Sequence, residues 1–330
     1  MGAALVPHGN YNLCLETLPV QRHRWIYVSN SGLAIGRRGY IRESGLGTMD
    51  APQQRRFAAY AYYKLLSEPK RCYSASDILV AHHVWSGGYH HWVADVLVSL
   101  NELGDTSGLH LLIPGDYPSF AFASLEAFHF REMIRLPSRT GAFVRGAIVV
   151  GHQNTANFHP NQLKRLRERL LSHAHSTAPR TSQQVHRLYV SRQDAGVRRV
   201  ANERELIALL CRHGFQVVLA EQMSFWQQAV VFAQCEMLVA NHGGGLTNML
   251  FMKSGGRVVE IIRAPTSEAP HLTNCYRNMA EALGLDHTHV YSQAVPDRRL
   301  SVGRQDTVAD LSAVEEAILE ALPSRSHESH

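Results

Sequence analysis

Short apolar runs alternate with longer amphipathic stretches along most of this chain of 330 residues. The short runs, such as Met237-Leu238-Val239-Ala240, indicate strands buried in a sheet. In the longer stretches, apolar side chains recur every three or four positions, which is typical of helices with one buried face. The predicted strands are residues 25–28, 77–80, 109–113, 146–150, 187–190, 215–219, 237–240, 257–262 and 289–291, and the main predicted helices are residues 55–66, 120–130, 160–171, 202–212, 224–233, 276–283 and 311–322.

Strands that alternate with helices of this length predict parallel sheets with helices on both faces, which is an α/β fold. The chain is long enough for two domains, and the polar segment Ser172–Gln184, which carries Pro179, is predicted to link them. We therefore expect a first domain over residues 1–178 and a second over residues 179–305. Residues 306–330 are expected to form a last helix and a polar, mobile tail.

Three consecutive glycines follow the predicted strand Met237–Ala240 and precede a helix that begins near Leu246. Glycine lets a ligand approach the main chain closely, and a helix start offers unpaired N–H groups and a partial positive charge. Proteins hold phosphate groups in this way. The alternative is a tight turn without a ligand, but the polar residues around the glycines favour a ligand site. The candidate ligand-binding residues are His242, Gly243, Gly244, Gly245, Leu246, Thr247 and Asn248.

A second set of candidate anion-binding residues follows the predicted strand Arg187–Val190. Ligands of parallel sheets bind at the carboxyl ends of the strands, and those ends share one edge of the sheet. Arg192 is therefore expected on the same edge as His242, where a guanidinium and a helix start together suit a diphosphate. The alternative is an exposed loop whose arginines pair with Asp194 and Glu203. The arginines of this loop are Arg192, Arg198 and Arg199.

In the first half of the chain, a loop with two glycines precedes a helix that is predicted to start near His90. His91 and Asp95 are four residues apart, so they lie on one face of that helix. An imidazole and a carboxylate at a helix start can act together as a general base. Taken alone, the pair favours the alternative, in which His91 only packs against Trp92.

The composition narrows the classes of protein to consider. The formal net charge is +5, but the basic residues form no long run, so a nucleic-acid-binding tail is not indicated. An anionic substrate or a membrane surface fits this charge. The five cysteines lack a C-x-x-C and are typical of reduced thiols. Neither a membrane-spanning run nor a signal peptide is evident, so we expect a cytoplasmic protein, with association at the inner face of the membrane left open.

A set of mostly polar and glycine positions recurs along the chain in an order and spacing that are more specific than any one short motif. These positions are His91-Trp92, Leu188-Tyr189-Val190-Ser191-Arg192, Arg198-Arg199 with Asn202-Glu203, Gly214-Phe215, Gln228, His242 through Asn248, Phe251 and Glu260. In their order and spacing these residues resemble glycosyltransferase family 61. That family includes plant xylan glycosyltransferases, animal O-linked N-acetylglucosaminyltransferases and bacterial enzymes of capsule or lipopolysaccharide synthesis. The resemblance runs from about Tyr89 to about Leu285.

The resemblance implies a GT-B architecture, in which two Rossmann-like domains with parallel sheets face a cleft. The nucleotide-sugar donor, expected to be a UDP-sugar, would lie mainly on the second domain, and the last helix would cross back to the first. The resemblance also implies inversion at the anomeric carbon without a bound metal or other cofactor. Two positions depart from the family pattern: Gly244 stands where alanine is common, and Leu97–Leu100 lacks an arginine that is often found there.

On this basis we expect a direct transfer, in which an acceptor hydroxyl attacks the anomeric carbon as the nucleoside diphosphate leaves. Groups that bind the developing negative charge lower the barrier. Arg192, with Arg198, Arg199 or both, is expected to do so together with the backbone N–H groups of Gly243–Leu246.

The other donor-side residues have expected roles as well. His242, Thr247 and Asn248 would fix the sugar or a phosphate, and Asn202 would also bind the donor. Glu260 would either hold ribose hydroxyls or be a buried structural carboxylate.

Inversion needs a base that accepts the proton of the acceptor hydroxyl. We expect this base on the first domain, with His91 as the first choice and Asp95 as the second or as its orienting partner. Glu102 and Asp116 are left open. The acceptor would be a glycan or a lipid-linked glycan, in the synthesis of a bacterial surface polysaccharide.

Three rival interpretations differ in class. An α/β-hydrolase needs Gly-x-Ser-x-Gly, and no serine in this chain has a glycine two residues before it. A metalloenzyme is suggested by the 20 histidines, but there is no His-Glu-x-x-His, so no metal site is predicted. A non-catalytic protein that binds a nucleotide-sugar or a polysaccharide remains the alternative to an enzyme.

Overall fold

A computed structural model of the protein describes residues 15–45, 50–153, 156–177, 185–265 and 274–321, with only the backbone at Val302 and Ala321. The chain divides into two compact units, between His173 and Ala174. Both units combine sheets with helices, so the predicted α/β class is confirmed. The predicted polar tail and residues 178–184 of the predicted linker lie outside the described residues.

A mixed sheet of eight strands forms the centre of the first unit. Its strands are β1 (Val20–Val28), β2 (Ala34–Gly36), β3 (Gly39–Ile41), β4 (Lys70–Tyr73), β5 (Ile78–Val80), β6 (His110–Pro114), β7 (Glu132–Leu136) and β8 (Gly141–Val150). The order across the sheet is β3-β2-β1-β8-β5-β6-β7, and β4 also pairs with β8. The pairs β8–β5, β5–β6, β6–β7 and β4–β8 are parallel.

Three strands of the first unit depart from the predicted parallel arrangement. β1 runs antiparallel to β8, and β2 and β3 continue from it as an antiparallel hairpin. Parallel neighbours need a crossover connection of about a dozen or more residues. The connection between β2 and β3 is much shorter, so these strands can pair only in the antiparallel direction. Ile26 and Val28 of β1 nevertheless pack into the same buried cluster as Ile78 and Val80 of β5.

Helices cover the sheet of the first unit. They are α1 (Ala51–Ser67), α2 (Tyr89–His91), α3 (Val98–Glu102), α4 (Ser119–Ser124) and α5 (Pro160–Thr177), with short 3-10 turns at Arg42–Ser44 and Leu125–Ala127. A π-helical stretch, Trp92–Leu97, joins α2 to α3 into one continuous helical segment. Helix α5 continues to Thr177, into the predicted linker, because its buried face extends to Ala174.

The second unit has a sheet of six strands, five of which are parallel. The strands are β9 (Arg187–Val190), β10 (Gln216–Val218), β11 (Met237–Asn241), β12 (Arg257–Arg263), β13 (Asp286–Ala294) and β14 (Thr307–Val308), in the order β10-β9-β11-β12-β13-β14. The helices are α6 (Glu203–Arg212), α7 (Phe225–Phe232), α8 (Cys275–Leu283) and α9 (Leu311–Ala321), with 3-10 segments at Ala220–Gln222, Gly244–Phe251 and Val302–Arg304.

The last helix, α9, packs against α6, β12 and β13. Its apolar residues Val314, Ala317 and Ile318 are buried in one cluster with Tyr189 and Val239 from the sheet. The apolar face of this helix is thus buried within the second unit, and its crossing to the first unit stays a prediction. Among the described residues, no helix has the length and apolar character needed to cross a bilayer.

Candidate functional site

Two loops meet at the carboxyl edge of the sheet in the second unit. β9 ends at Val190 and β11 at Asn241, and the two strands are parallel neighbours with Val190 opposite Ala240. The loop after β9 therefore begins beside the glycine turn after β11, at the common edge that the sequence predicted.

Arg192 lies against the glycine turn. Its Nε and Nη2 donate to the carbonyl oxygens of Arg198 and Val197, each at 3.0 Å. A Cβ atom on Gly243 would come within 2.9 Å of the Arg192 Cζ and would overlap its Nη1. Only glycine at this position lets the guanidinium approach the main chain of the turn so closely.

Arg198 is the second cation at this edge. Its Nη1 is 3.5 Å from the carbonyl oxygen of His242, and its Nε is buried without a hydrogen-bond partner among the described residues. Burial, and then the charge of Arg198, lower the pKa of Arg192. Within the described part of the chain, neither guanidinium has a carboxylate within ion-pair distance. Two adjacent cations that no carboxylate directly pairs make this edge a candidate anion site.

Arg199, the next residue, is engaged elsewhere. Its Nε is 3.4 Å from Asp306 Oδ2, and its backbone N–H donates to Asp306 Oδ1 at 2.8 Å. These contacts place Arg199 with Asp306 on an exposed surface, whereas Arg198 lies at the glycine turn. The sequence left open which of the two arginines would bind the diphosphate, and the geometry favours Arg198.

Asn202, predicted to bind the donor, has a structural role. Its Nδ2 donates to the Ala309 carbonyl oxygen at 2.9 Å, and its Oδ1 accepts from the Ala309 N–H at 2.8 Å. Both polar groups of the side chain are thus occupied, and they tie the arginine loop to the segment before α9. The expected contact of Asn202 with the donor stays a prediction.

Thr247 and Asn248, also predicted to contact the sugar or a phosphate, are fully buried. The Asn248 Nδ2 donates to Gln228 Oε1 at 2.8 Å, and Thr247 is hydrogen-bonded to the hydroxyl of Tyr276. A side chain with no exposed atoms cannot contact a ligand in this conformation. These residues fix the 3-10 segment from within, and their predicted ligand contacts are corrected.

The glycine turn opens the 3-10 segment Gly244–Phe251. The Leu246 N–H donates to the Gly243 carbonyl oxygen at 3.0 Å, so it is engaged within the turn and is not a donor to phosphate. The first N–H groups of a helix have no intrahelical partner. The predicted phosphate contacts therefore narrow to the N–H groups of Gly243, Gly244 and Gly245.

His242 is held by a buried carboxylate. Its Nδ1 is 2.5 Å from Glu260 Oε1, and its ring packs edge-on against Tyr276 at 5.2 Å between centroids. The side chain is 20% exposed, so it can reach a ligand while it is supported from behind. With Nδ1 bonded to the carboxylate, Nε2 is the nitrogen left for a ligand.

Glu260 is fully buried and contacts three histidines. Its Oε1 contacts His242, and its Oε2 lies 2.9 Å from His287 Nε2 and 3.2 Å from His289 Nε2. Burial alone would raise the pKa of this carboxyl, but hydrogen bonds from the three imidazoles prevail and hold it well below its usual range. Of the two roles expected for Glu260, the buried structural carboxylate is the one that the structure has, and ribose binding is corrected.

A second candidate site lies in the first unit, on the helical segment Tyr89–Glu102. The His91 Nδ1 is 2.8 Å from Asp95 Oδ2, so the predicted pairing one turn apart is present. Asp95 is buried, whereas the His91 side chain is 30% exposed. With Nδ1–H donating to the carboxylate, Nε2 keeps a lone pair that can accept a proton.

His83 adds a third member to this pair. It is buried, and its Nε2 is 3.4 Å from the same Asp95 oxygen that binds His91. Burial would raise the pKa of Asp95, but the nearby imidazoles of His83 and His91 lower it below its usual range. Behind His83 lies His152, at 4.6 Å between ring centroids, and burial lowers the pKa of His152 to about 3. The His91–Asp95 pair thus combines a buried, ionised carboxylate with a partly exposed imidazole, and the neutral ring of His152 packs against His83 in the interior.

Glu102 and Asp116, the two alternative candidates for the general base, are less suitable than His91. Arg165 binds Glu102 through two hydrogen bonds, of 3.1 and 2.5 Å, so that carboxylate is already paired. Asp116 lies exposed in the loop after β6, where nothing in the described residues orients it. Proton transfer needs a positioned group, which favours His91.

The family model described as Glycosyltransferase 61 matches residues 89–259, slightly more than half of the chain. The chain belongs to the glycosyltransferase 61 family. The match contains the His91–Asp95 pair, the arginine loop and the glycine turn, and it ends one residue before Glu260.

One relative, the EGF domain-specific O-linked N-acetylglucosamine transferase of Drosophila melanogaster, is 31% identical to this glycosyltransferase 61 member over 106 residues. The alignment covers 31% of this chain and 19% of the relative. The chain thus matches about a fifth of the length of that protein, a similarity that supports the family and leaves the activity of this member to be proposed.

Sequence reasoning missed the buried partners of both sites. His287 and His289 alternate along β13, a spacing that places both on one face of a strand and could have marked them as a pair. The neighbouring strand brings Glu260 directly opposite His289. No local pattern marks His83, which lies before the glycine loop and reaches Asp95 only through the fold.

Two groups of histidine and carboxylate side chains in the described residues have ligand atoms close enough together to bind a metal ion, although the sequence predicted no metal site. The sets are His83, His91 and Asp95, and Glu260, His287 and His289, and in each the ligand atoms lie within 4.8 Å of one another. Imidazole and carboxylate are suitable ligands for zinc. In both sets, however, every imidazole faces the carboxylate at hydrogen-bonding or ion-pair distance, and this alone accounts for the geometry.

Proposed function

We propose that this member of glycosyltransferase family 61 transfers a sugar from a nucleoside diphosphate sugar, with uridine as the expected base, to a hydroxyl of a glycan. We propose further that the transfer inverts the anomeric carbon, and that the product is part of a bacterial surface polysaccharide. The support comes from the family and from the chemistry of the two sites.

One observation carries the proposal. Arg192 and Arg198 lie side by side at the glycine turn, and among the described residues no carboxylate lies within ion-pair distance of either guanidinium. A buried or half-buried cation without an ion-paired anion is costly unless a ligand supplies the opposite charge. The leaving diphosphate of a sugar donor has that charge, and planar guanidinium groups suit its oxygens.

On the donor side, the N–H groups of Gly243, Gly244 and Gly245 would add to the two arginines in binding the diphosphate. His242 would bind a sugar hydroxyl or a phosphate oxygen through Nε2, because Glu260 holds its Nδ1. We propose that these groups together stabilise the negative charge that grows as the bond to phosphate breaks, without the need for a metal ion at that point.

On the acceptor side, His91 would act as the base and Asp95 as its positioning partner. The acceptor oxygen forms a bond to the anomeric carbon while the bond from that carbon to the diphosphate oxygen breaks. The hydroxyl proton passes to His91 Nε2, and the bonding pair leaves with the nucleoside diphosphate. The anionic Asp95 stabilises the imidazolium that results.

The two sites lie in different units, so one chemical step would need both. We propose that the units adopt the GT-B arrangement expected from the family, with the donor on the second unit and the base on the first. The parallel, Rossmann-like sheet of the second unit supports this proposal.

A thermal-shift screen tests the donor site directly. UDP, GDP, CMP, dTDP and their sugars are each added to the protein with and without EDTA. We expect one nucleotide class to raise the melting temperature by about 5 °C at saturation, because a ligand that binds only the folded state stabilises it. The shift should be unchanged by EDTA and lost in Arg192→Ala.

Arg204→Ala is the matched control, since Arg204 is an exposed arginine at the start of α6 in the same unit. It should keep the full shift. If no nucleotide shifts the melting temperature of the native chain, or if Arg192→Ala responds like Arg204→Ala, the assignment of the donor site is wrong.

Replacing Gly243 by alanine should weaken nucleotide binding by at least about tenfold, the equivalent of one charge-assisted hydrogen bond. The added methyl group would occupy the place of the Arg192 guanidinium and push it out of the turn. Calorimetric titration with the nucleotide found in the screen measures the effect. Gly196→Ala, where a Cβ meets nothing within 4 Å, is the control and should bind normally. Equal affinity in both variants would contradict a role for Arg192 at the turn.

A further inference from the structure

Helix α1 has one face buried and one face open. Toward the sheet, Ala61 is buried with Tyr27, Leu33 and Ile35, and Phe57 packs against the same cluster. The residues that point away from the sheet include two arginines and a group of large side chains, and all of them are exposed: Arg55, Arg56, Tyr60, Tyr62, Tyr63 and Leu66. We call these six residues the outer face of α1.

The outer face is unusual for a solvated helix. Leu66 is 83% exposed and Tyr63 is 60% exposed, whereas a helix in water normally presents charged residues of both signs. The sequence of α1 contains no aspartate or glutamate from Ala51 to Ser67. The face is therefore aromatic and basic, without an acidic residue from the helix itself.

The turn between β2 and β3 extends this surface. A Cβ on Gly39 would be 3.4 Å from the hydroxyl of Tyr62, so the turn lies directly beside the outer face. Arg37 and Arg38 precede that glycine, and both are exposed. The combined surface thus has four arginines around three tyrosines and a leucine.

We propose that the outer face of α1, together with Arg37 and Arg38, binds the surface of a bilayer that contains anionic lipid. Tyrosine is enriched where protein meets the boundary between lipid and water, since its ring is apolar and its hydroxyl is polar. Helices that lie in that boundary combine apolar and aromatic residues with basic residues that attract anionic headgroups. The chain as a whole is basic, with a formal net charge of +5, which adds to the attraction.

Charge also decides against the simplest other occupant, a second copy of this chain. A symmetric dimer through the outer face would bring the four arginines of one copy against the four of the other. The helix offers no carboxylate to offset them. Like charges that face each other across an interface destabilise it, whereas anionic headgroups would neutralise all four.

The inner side of α1 connects this surface to the candidate base. Phe57 packs edge-on against Trp85 at 6.1 Å between ring centroids, and Trp85 lies 5.4 Å from the ring of His91. A bilayer at the outer face would therefore lie close to the residue that we propose as the base. The membrane proposal rests on the outer face with Arg37 and Arg38, and it does not depend on the function proposed for His91.

Cosedimentation of the full chain with vesicles tests the proposal. Vesicles of phosphatidylcholine are compared with vesicles of phosphatidylcholine and phosphatidylglycerol, at low and at high salt. We expect the native chain to sediment with the anionic vesicles at low salt, and to bind the neutral vesicles at least about tenfold more weakly.

Two variants remove the two components of the surface. The charge variant should bind anionic vesicles at least about a hundredfold more weakly, since each basic residue near such a surface contributes separately to the attraction. The apolar variant should lose at least about tenfold through the apolar area that no longer enters the lipid. The charge variant is Arg37→Gln with Arg38→Gln, Arg55→Gln and Arg56→Gln, and the apolar variant is Tyr62→Ser with Tyr63→Ser and Leu66→Ser.

Matched controls make the same changes on exposed positions of the second unit. The charge control is Arg204→Gln with Arg212→Gln, Lys253→Gln and Arg298→Gln, and the apolar control is Tyr291→Ser with Val308→Ser and Leu319→Ser. Both should bind anionic vesicles like the native chain. Failure of the native chain to bind anionic vesicles would overturn the proposal, as would equal loss in the controls. A dimer in light scattering that the apolar variant abolishes, without any vesicle binding, would show that a second copy occupies the face.

Discussion

Replacing His91 by alanine is expected to lower kcat for sugar transfer by about a hundredfold to ten-thousandfold, the usual contribution of a positioned general base. The affinity for the nucleotide should change little, because His91 lies in the first unit and the proposed diphosphate site lies in the second. The assay measures release of the nucleoside diphosphate from the sugar donor found in the thermal-shift screen, with a glycan or water as the acceptor.

The control for this experiment is His129→Ala, which removes an exposed histidine of the same unit. It should turn over at the native rate. If His91→Ala also turns over normally, the base is another residue. If the native chain binds the nucleotide-sugar but releases no diphosphate with any acceptor, the protein is the non-catalytic binder that the sequence left as the alternative.

Replacing Glu260 by glutamine should lower the free energy of unfolding by about 3 kcal/mol, since it removes one charged partner from a buried network. The carboxylate accepts from His242, His287 and His289, and an amide can accept on only one atom. Donor affinity should fall as well, because His242 would lose the contact that fixes its ring. Chemical denaturation and calorimetric titration measure the two effects.

Glu236→Gln is a close control, because Glu236 also contacts a histidine, His186 at 2.9 Å, but on an exposed surface. An exposed pair of this kind contributes about 1 kcal/mol or less, so the control should differ little from the native chain. Equal stability of the two variants would contradict the role given to the buried network.

The effect of Glu260 should depend on pH in a defined direction. Its pKa in the folded protein lies below the value in the unfolded chain, so the unfolded chain binds the proton first as the pH falls. The stabilisation by Glu260 is therefore complete above about pH 5 and is lost progressively below the unfolded pKa of about 4.3. The difference between the native chain and Glu260→Gln should shrink over that acidic range.

The sequence was informative where a rule of topology converts order along the chain into position in space. Arg192 and the glycine turn follow two parallel strands, so their common edge could be predicted without knowing the strand order. His91 and Asp95 could be paired for a similar reason, since helical spacing alone brings them together. The buried runs of the second unit likewise predicted its parallel sheet.

The sequence was misleading where the direction of a side chain decides its role. Asn202, Thr247 and Asn248 are the polar types that bind ligands, yet each is occupied within the protein. Their partners lie far away along the chain, for example 107 residues for Asn202 and Ala309. The histidines around Glu260 were missed for the same reason, because strand pairing brings them together and no local pattern does.

The contacts that hold the arginine loop to the C-terminal segment are mostly contacts with main-chain atoms. Thr307 donates its N–H to the Arg199 carbonyl oxygen and accepts from the Ala201 N–H, and Asn202 binds the N–H and carbonyl oxygen of Ala309. Any residue except proline at 307 and 309 offers the same groups. These hydrogen bonds therefore set no requirement on the side chains of the segment, and only their burial limits Thr307 and Ala309. A relative could retain the asparagine while the sequence of the stretch that it binds differs, provided that the buried side chains still fit.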